Sequence, residues 1–305
     1  MEVLRELKPL GLKTSVALGY FDGMHRGHSE IMRQTVAYAK SMHLKATVFT
    51  FDFSRVRPGE KGNRDLFKRS IIYEKMEQLG IDVVVEIPFE EIRNMTGRGF
   101  IANVLGHKCL NAAVISCGED FRFGKGRDSD VEVMRILAGP HGIQVNVVPY
   151  VMDEGIISTT RIKRLIENGD TATASRLLGY SYIFEAKTVE QSTGVGINYS
   201  SVCQLLDESL LRPKFGVYTS RCLLEDGLPH SSVTYIGTRP TKHNTSDVYA
   251  DSNIFSLEGD RYNGKSLRVE LLKMMRSEEK FHSLSELKDA ILTDIERAKM
   301  YSREK

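Results

Sequence analysis

The sequence predicts an α/β domain on a parallel sheet, followed by a small antiparallel β-barrel or sandwich that ends in a helix. Three observations carry this expectation. Through about residue 180, short apolar runs alternate with longer amphipathic ones, the rhythm of a parallel sheet with helices on both faces. After about residue 182 the segments become short, β-rich and separated by Gly, Asn or Asp. The chain has 305 residues, and single cores stop growing at roughly 250–300 residues, so two domains are expected.

The elements follow in order. "TSVAL" (14–18) reads as a buried strand, and "HSEIMRQTVAYAKSM" as a helix, with Ile31, Met32, Thr35, Val36 and Ala39 near helical spacing. "KATVFTF" (45–51) is the second strand, and "RSIIYEKMEQLG" (69–80) a helix stopped by Gly80. "DVVVEI" (82–87), "NAAVISCG" (111–118) and "QVNVVPY" (144–150) are further strands, with helical stretches between them. "STTRIKRLIENGD" gives a helix with Ser158 or Thr159 as N-cap, and "TATASRLLG" another. The β-rich part comprises "YIFEAKTVEQ", "GVYTSRCLLEDG", "HSSVTYIG", "SDVYADSNIFSLEG" and "SLRVELLKMM". The final segment, "SLSELKDAILTDIERAKMY", is an amphipathic helix with a serine start and apolar Leu287, Ile291, Leu292 and Ile295. The boundary is set at residues 183 and 184, giving domains 1–183 and 184–305.

Composition narrows the function classes. Hydrophobic content of 41% and charged content of 27% are those of an ordinary globular protein. No apolar run approaches the roughly 20 residues that span a bilayer, and "MEVLRELKPLGLK" lacks an apolar signal core. The four cysteines show no CxxC spacing, which argues against zinc and for a reduced, cytoplasmic protein. A net charge of +2 excludes a nucleic-acid footprint, although local basic clusters suit a small polyanion such as a nucleotide. Neither a nucleic-acid nor a membrane partner is expected; self-association stays open.

One stretch carries chemistry. "GYFDGMHRGHSE" (19–30) lies where the first parallel strand meets the first helix, and it holds Gly19, Asp22, Gly23, His25, Gly27 and His28. Ligands of open α/β sheets bind at the carboxyl ends of the strands. The glycines allow close backbone approach and positive φ. A helix starting near Gly27 aims free N–H groups at an anion. Two histidines three apart face one side of the first turn and donate to phosphate oxygens, more strongly when protonated. HxxH alone is also compatible with a polar turn or, given further ligands, a metal site. The spacing fits neither a Walker P-loop nor G-x-G-x-x-G.

"GYFDGMHRGH" resembles the G-x-F-D-G-x-H-x-G-H signature of bacterial FAD synthetases, nucleotidyltransferases with an HxGH element. "GEDFRFGKGRDSDV" (118–131) resembles that family's G-x-D-F-x-F-G loop, and "ISTTRIK" (157–163) its S-S-T-R-I-R element. "GVYTSR" (216–221), "IGTRPT" (236–241) and "GKSLRVELLKMMRSEEKF" (264–281) resemble its C-terminal riboflavin kinase module. These motifs occur in order along nearly the whole chain. The resemblance implies a Rossmann-like nucleotidyltransferase domain plus a riboflavin kinase-like β-barrel.

The resemblance also implies an activity: FMN and ATP give FAD and pyrophosphate. Carried over, His25 and His28 bind the ATP phosphates and stabilise the transition state. Gly19, Phe21, Asp22 and Gly23 shape the nucleotide pocket. Ser158, Thr160 and Arg161 hold the β- and γ-phosphates, Arg161 through its planar fork. Asp120 and Arg122 lie near the nucleotide or FMN, while Phe121 and Phe123 read better as core plugs beneath that loop than as flavin stackers. Mg²⁺ neutralises the triphosphate through phosphate oxygens and water, with no dedicated protein metal site.

Departures from the family pattern bear on both halves. The usual T-F-E-P-H-P is "TFDFSR" here, with Phe53 and Ser54 for Pro and His, which bears on FMN docking. In the second half G-F-P-T-A-N is replaced by "GINYSS" (196–201), so Tyr199 stands for Thr and Ser201 for Asn. A phenol is a poor substitute for a small hard oxygen ligand. The family's catalytic Glu aligns with Asp251, which reaches about 1.5 Å less far. The kinase half is therefore expected to keep its fold and to phosphorylate riboflavin weakly or not at all. Three other readings stay open: a fully bifunctional enzyme, a nucleotidyltransferase for another phosphorylated acceptor, and a non-catalytic flavin-binding module.

Overall fold

The computed structural model describes residues 1–52, 64–189, 201–238, 247–255, 262 and 264–303. Phe53, Ser54 and Tyr199 lie outside the described residues. Contacts divide the chain into two units, Met1–Asn63 with Arg69–Ser158, and Arg64–Lys68 with Thr159–Lys305. No helix among the described residues is long and apolar enough to cross a membrane.

The first unit is a six-stranded sheet in the order β1-β4-β3-β2-β5-β6. Its strands are β1 (Glu2–Leu4), β2 (Thr14–Leu18), β3 (Lys45–Phe51), β4 (Val83–Ile87), β5 (Ala112–Gly118) and β6 (Gln144–Val148), and every pairing is parallel. All of β2 is buried, as a central strand covered on both faces must be. Its alternation splits the two faces. Val16 and Leu18 join a core with Phe49, Val85, Ile115 and Cys117, closed by Phe100 and Ile101 and by Met134. Ser15 and Ala17 face the other way. On the sheet lies α1 (Arg26–Ser41), in contact with β2, β3 and β5. It buries Met32, Thr35, Val36 and Ala39, close to the expected face.

The connecting helices are α2 (Arg69–Gln78), α3 (Gly97–Phe100, continued by a π-type turn to Leu105) and α4 (Val131–Ala138). Gly80 stops α2 in the left-handed region, with φ of 92°. Strand β1 was not expected. Three residues, "EVL", are too short for a periodic signal, and they are fixed by pairing Glu2 with Val83. On the same side of the sheet, buried Glu86 accepts from the Arg5 guanidinium at 2.8 Å and from Arg69 and the Tyr73 hydroxyl.

The second unit begins with α5 (Thr159–Glu167) and α6 (Thr171–Leu178). Thr171 Oγ1 donates to the Leu272 carbonyl (3.1 Å), and the Lys214 N–H to that of Ile166 (3.2 Å). These bonds hold both helices with the strands that follow, although the sequence expectation groups them with the first domain. Six strands close a barrel in the order β10-β11-β8-β7-β12-β9. They are β7 (Tyr182–Val189), β8 (Ser201–Leu205), β9 (Gly216–Leu223), β10 (Pro229–Thr238), β11 (Val248–Ile254) and β12 (Ser266–Ser277). All the ladders are antiparallel. The structure is thus the barrel of the two forms expected, and β8 is an addition to the expected strands.

The barrel interior is polar at its centre. Ser220 Oγ contacts Ser232 Oγ at 2.8 Å and Thr234 Oγ1 at 2.7 Å, and Thr234 contacts Ser252 at 2.7 Å. Cys222 Sγ extends the chain, 3.4 Å from Ser232 Oγ. Each hydroxyl can donate to one neighbour and accept from another, so the chain links five buried groups. Where β7 and β8 share only two paired positions, the Gln204 amide donates to the carbonyls of Ala186 (2.7 Å) and Leu267 (2.8 Å) and continues the seam.

Outside the barrel, α7 (Leu284–Arg303) lies on Val217 and Val233 through Ile295 and Ala298. Arg276 grips buried Asp294 from both nitrogens, its Nη2 at 2.7 Å. The helix starts at the expected serine, since the Glu286 N–H donates to Ser283 Oγ at 3.1 Å. Leu292 departs from expectation and is exposed, because the buried face follows Ile291, Ile295 and Ala298.

Candidate active site

In the strand order, β3 and β4 lie on one side of β2, and β5 and β6 on the other. The order reverses between β2 and β5, which makes a crevice beyond their carboxyl ends. Two loops border that crevice: residues 19–25 after β2 and residues 119–130 after β5.

The first loop is tightly built. Phe21 is fully buried, and its ring lies beneath Gly19: a Cβ on Gly19 would sit 2.7 Å from Phe21 Cζ. A Cβ on Gly27 would come within 3.1 Å of the His25 ring. Gly19, Gly23 and Gly27 do not take the expected positive φ. The residue that does is Met24, with φ of 40° and its side chain buried. At Gly19 and Gly27 the requirement is therefore space for a ring, not backbone handedness.

His25 is the N-cap of α1. Its Nδ1 accepts the backbone N–H of His28 at 3.2 Å, in the place where Ser or Asp usually caps. An accepting Nδ1 carries no proton, so neutral His25 holds its hydrogen on Nε2. The two imidazoles stack with centroids 3.7 Å apart and planes 20° apart, and Phe21 meets the His28 ring edge-on at 5.3 Å. Burial, followed by the neighbouring imidazole, pushes His25 down to about 2, although Asp22 pulls the other way. Burial alone pushes His28 down to about 3. Both rings are therefore neutral at pH 7. At that pH the imidazoles donate as neutral N–H groups. Among the described residues, buried His28 Nδ1 has no hydrogen-bond partner.

The second loop has Phe123 buried in the core, with Phe121 stacked on it (6.1 Å), as core plugs. Asp120 and Arg122 are exposed above them. The Tyr150 phenol is raised by burial and then by the Asp120 and Glu119 charges, and the Tyr150 N–H donates to Glu119 Oε1 at 3.0 Å. Arg122 pairs with Asp130 at 3.4 Å, and Asp130 caps α4.

Ser158 ends the first unit, after a turn closed by the Met152–Ile156 bridge. Thr160 and Arg161 occupy the first turn of α5, in the second unit. In the barrel, Ser201 pairs with Asn253, and Cys203 with Asp251. Successive residues alternate faces, so Ser201 and Asp251 share the outer face of one ladder, and Asp251 faces Tyr235 across the next. Among the described residues no group of His, Cys, Asp and Glu is arranged to hold a metal ion.

Sequence reading missed Arg26, whose guanidinium meets Asp153 at 2.7 Å, and the bond from the Tyr150 N–H to Glu119. Both join segments far apart in the chain and carry no local signal.

The model of the FAD synthetase family matches residues 9–161, and that of riboflavin kinase residues 178–302. A bifunctional riboflavin kinase/FMN adenylyltransferase of Bacillus subtilis strain 168 is 28% identical over 95% of this chain and 92% of its own. One of the same description from Escherichia coli strain K12 is 26% identical over 92% of this chain and 90% of its own. A crystal structure described as a macrolide-efflux protein from Streptococcus pneumoniae shares the fold. Its TM-score is 0.85 at 24% identity, over 96% of this chain and 97% of that one. With the first model spanning half of its length, the chain belongs to the FAD synthetase family, and its barrel matches the riboflavin kinase model.

Proposed function

We propose that the protein is an FMN adenylyltransferase, transferring AMP from MgATP to FMN to give FAD and pyrophosphate. The observation that carries this reading is the neutral, stacked pair of His25 and His28 at the start of α1, beside the strand-order reversal. Family membership supports it.

An FMN phosphate oxygen attacks the α-phosphorus of ATP. That P–O bond forms as the bond to the bridging α–β oxygen breaks, and pyrophosphate leaves. FMN phosphate is already ionised at pH 7, so no base is needed, and the work is positioning and charge stabilisation. His25 Nε2–H is a donor fixed in direction by its cap bond. His28 is braced between His25 and Phe21. Neutral N–H donors hold the transferring phosphoryl without pairing permanently with it. The α1 N-terminus adds its partial positive charge. Ser158, Thr160 and Arg161 hold the β- and γ-phosphates. Mg²⁺ enters as part of the MgATP substrate and neutralises triphosphate charge.

For the barrel, riboflavin kinase activity much slower than adenylylation is the reading the residues favour. Asp251 is shorter than the family's Glu, and it shares its outer face with Ser201. The relatives' descriptions favour a working kinase instead. Separate incubations of MgATP with FMN and with riboflavin, resolved by chromatography, decide both points. FAD from FMN, with riboflavin left almost unchanged, is the expected result. No FAD from FMN sinks the first reading, and turnover of riboflavin at about 1–100 s⁻¹ sinks the second.

A further inference from the structure

Arg26 stands between the two histidines, as the first residue of α1. A cation there opposes the helix dipole, so its place calls for a compensating partner. That partner is Asp153, whose Oδ2 lies 2.7 Å from Arg26 Nη1 and whose side chain is 13% exposed. Asp153 sits in a rigid turn. Its N–H donates to the Gly155 carbonyl (2.9 Å), the Ile157 N–H donates to that of Val151 (3.1 Å), and Met152 bridges Ile156. Glu154 and Gly155 make the bend with φ of 49° and 118°. Such a turn moves as one piece, and it leads directly into Ser158.

We propose that Arg26 and Asp153 are positioning residues, whose ion pair sets the separation, within the first unit, between the imidazole pair and Ser158. This rests on the adenylyltransferase reading. Neither residue needs to touch the nucleotide; the pair acts through the turn.

The test is a double-mutant cycle with Arg26→Met, Asp153→Asn, the combined variant and Arg26→Lys. It is read as kcat/KM for ATP, KM for FMN, calorimetric Kd for MgATP alone, and Tm. A misplacement of about 1 Å costs up to a hundredfold, so each single variant is expected to lose about ten- to a hundredfold in kcat/KM for ATP. MgATP binding weakens in parallel, the KM for FMN holds, the combined variant is no worse than the poorer single, and Arg26→Lys recovers most of the loss. Three results overturn the proposal: wild-type values in Asp153→Asn, additive losses, or equal losses for both substrates with a fallen Tm. If the wild type binds MgATP but makes no FAD, the function is wrong and the binding cycle still judges the pair. If it binds no MgATP, both fall.

Discussion

His25 Nδ1 accepts the backbone N–H of His28 at 3.2 Å, so one histidine caps the helix that carries the other. The bond selects the tautomer, and the 3.7 Å stack fixes the plane. On the proposed mechanism, cap and phosphate donor are thus the same ring. His25→Asn is expected to keep the cap and lose the aimed Nε2–H, so its Tm stays near wild type while FAD formation falls about 10²–10³-fold. His25→Ala loses both, with about 1 kcal/mol less stability. Thermal melts beside a rate assay separate the two; equal activity in His25→Asn and wild type would show that the ring serves only as a cap.

The depressed imidazoles set a pH dependence. Folded values of about 2 for His25 and about 3 for His28 lie below the ordinary 6.5. The unfolded chain therefore binds more protons between those limits. Stability from these rings is complete above about pH 6.5 and drains as the pH falls toward 3, by about 1.4 kcal/mol per pH unit for each ring. Urea unfolding from pH 7.5 to 4.5 should show this slope, reduced in His28→Gln. The kcat/KM profile should carry only the inflection of the FMN phosphate, at about pH 6, and keep it in His28→Gln; an inflection near 6.5 that vanishes in His28→Gln would mean that a charged imidazole does the work.

Glycines in the loop are tested separately. Gly19→Ala drives a methyl to 2.7 Å from the buried Phe21 ring and should cost about 1–3 kcal/mol. Gly27→Ala meets only the His25 ring, at 3.1 Å, and should lower activity more than Tm. A Gly27→Ala enzyme with full activity would show that the ring position is not critical.

The hydroxyl chain of the barrel predicts an asymmetry. Thr234→Val keeps the shape but leaves Ser220 and Ser252 each short of a partner, at a cost of about 1–3 kcal/mol in urea unfolding. Cys222→Ala removes the longest link, 3.4 Å, and should cost less. Equal costs would mean that a link inside the chain counts no more than the one at its end.

Lengthening the carboxylate tests the kinase reading. Asp251→Glu restores the missing reach of about 1.5 Å and should raise riboflavin phosphorylation. An unchanged rate would place the defect elsewhere.

The order of strands and helices was legible because each carries its own period. The place of the loop at the carboxyl end of the first expected strand followed from strand–helix alternation, and the loop chemistry from residue types packed into ten positions. What escaped depended on tertiary context. β1 exists by pairing with Val83, and β8 is marked only by "SVCQL" after a polar stretch. Ser232 and Thr234 share a face with Ile236 by alternation, but only closure of the barrel makes that face an interior. Arg26 and Asp153 are ordinary surface residues until the fold brings them together across 127 positions.

The most direct measurement is FAD and pyrophosphate formation from FMN and MgATP by wild type and His28→Ala under identical conditions. The account predicts equimolar products from the wild type, and a rate about a hundredfold lower or less from a variant that still folds. A wild type that makes no FAD, or a folded His28→Ala enzyme at the wild-type rate, would contradict it.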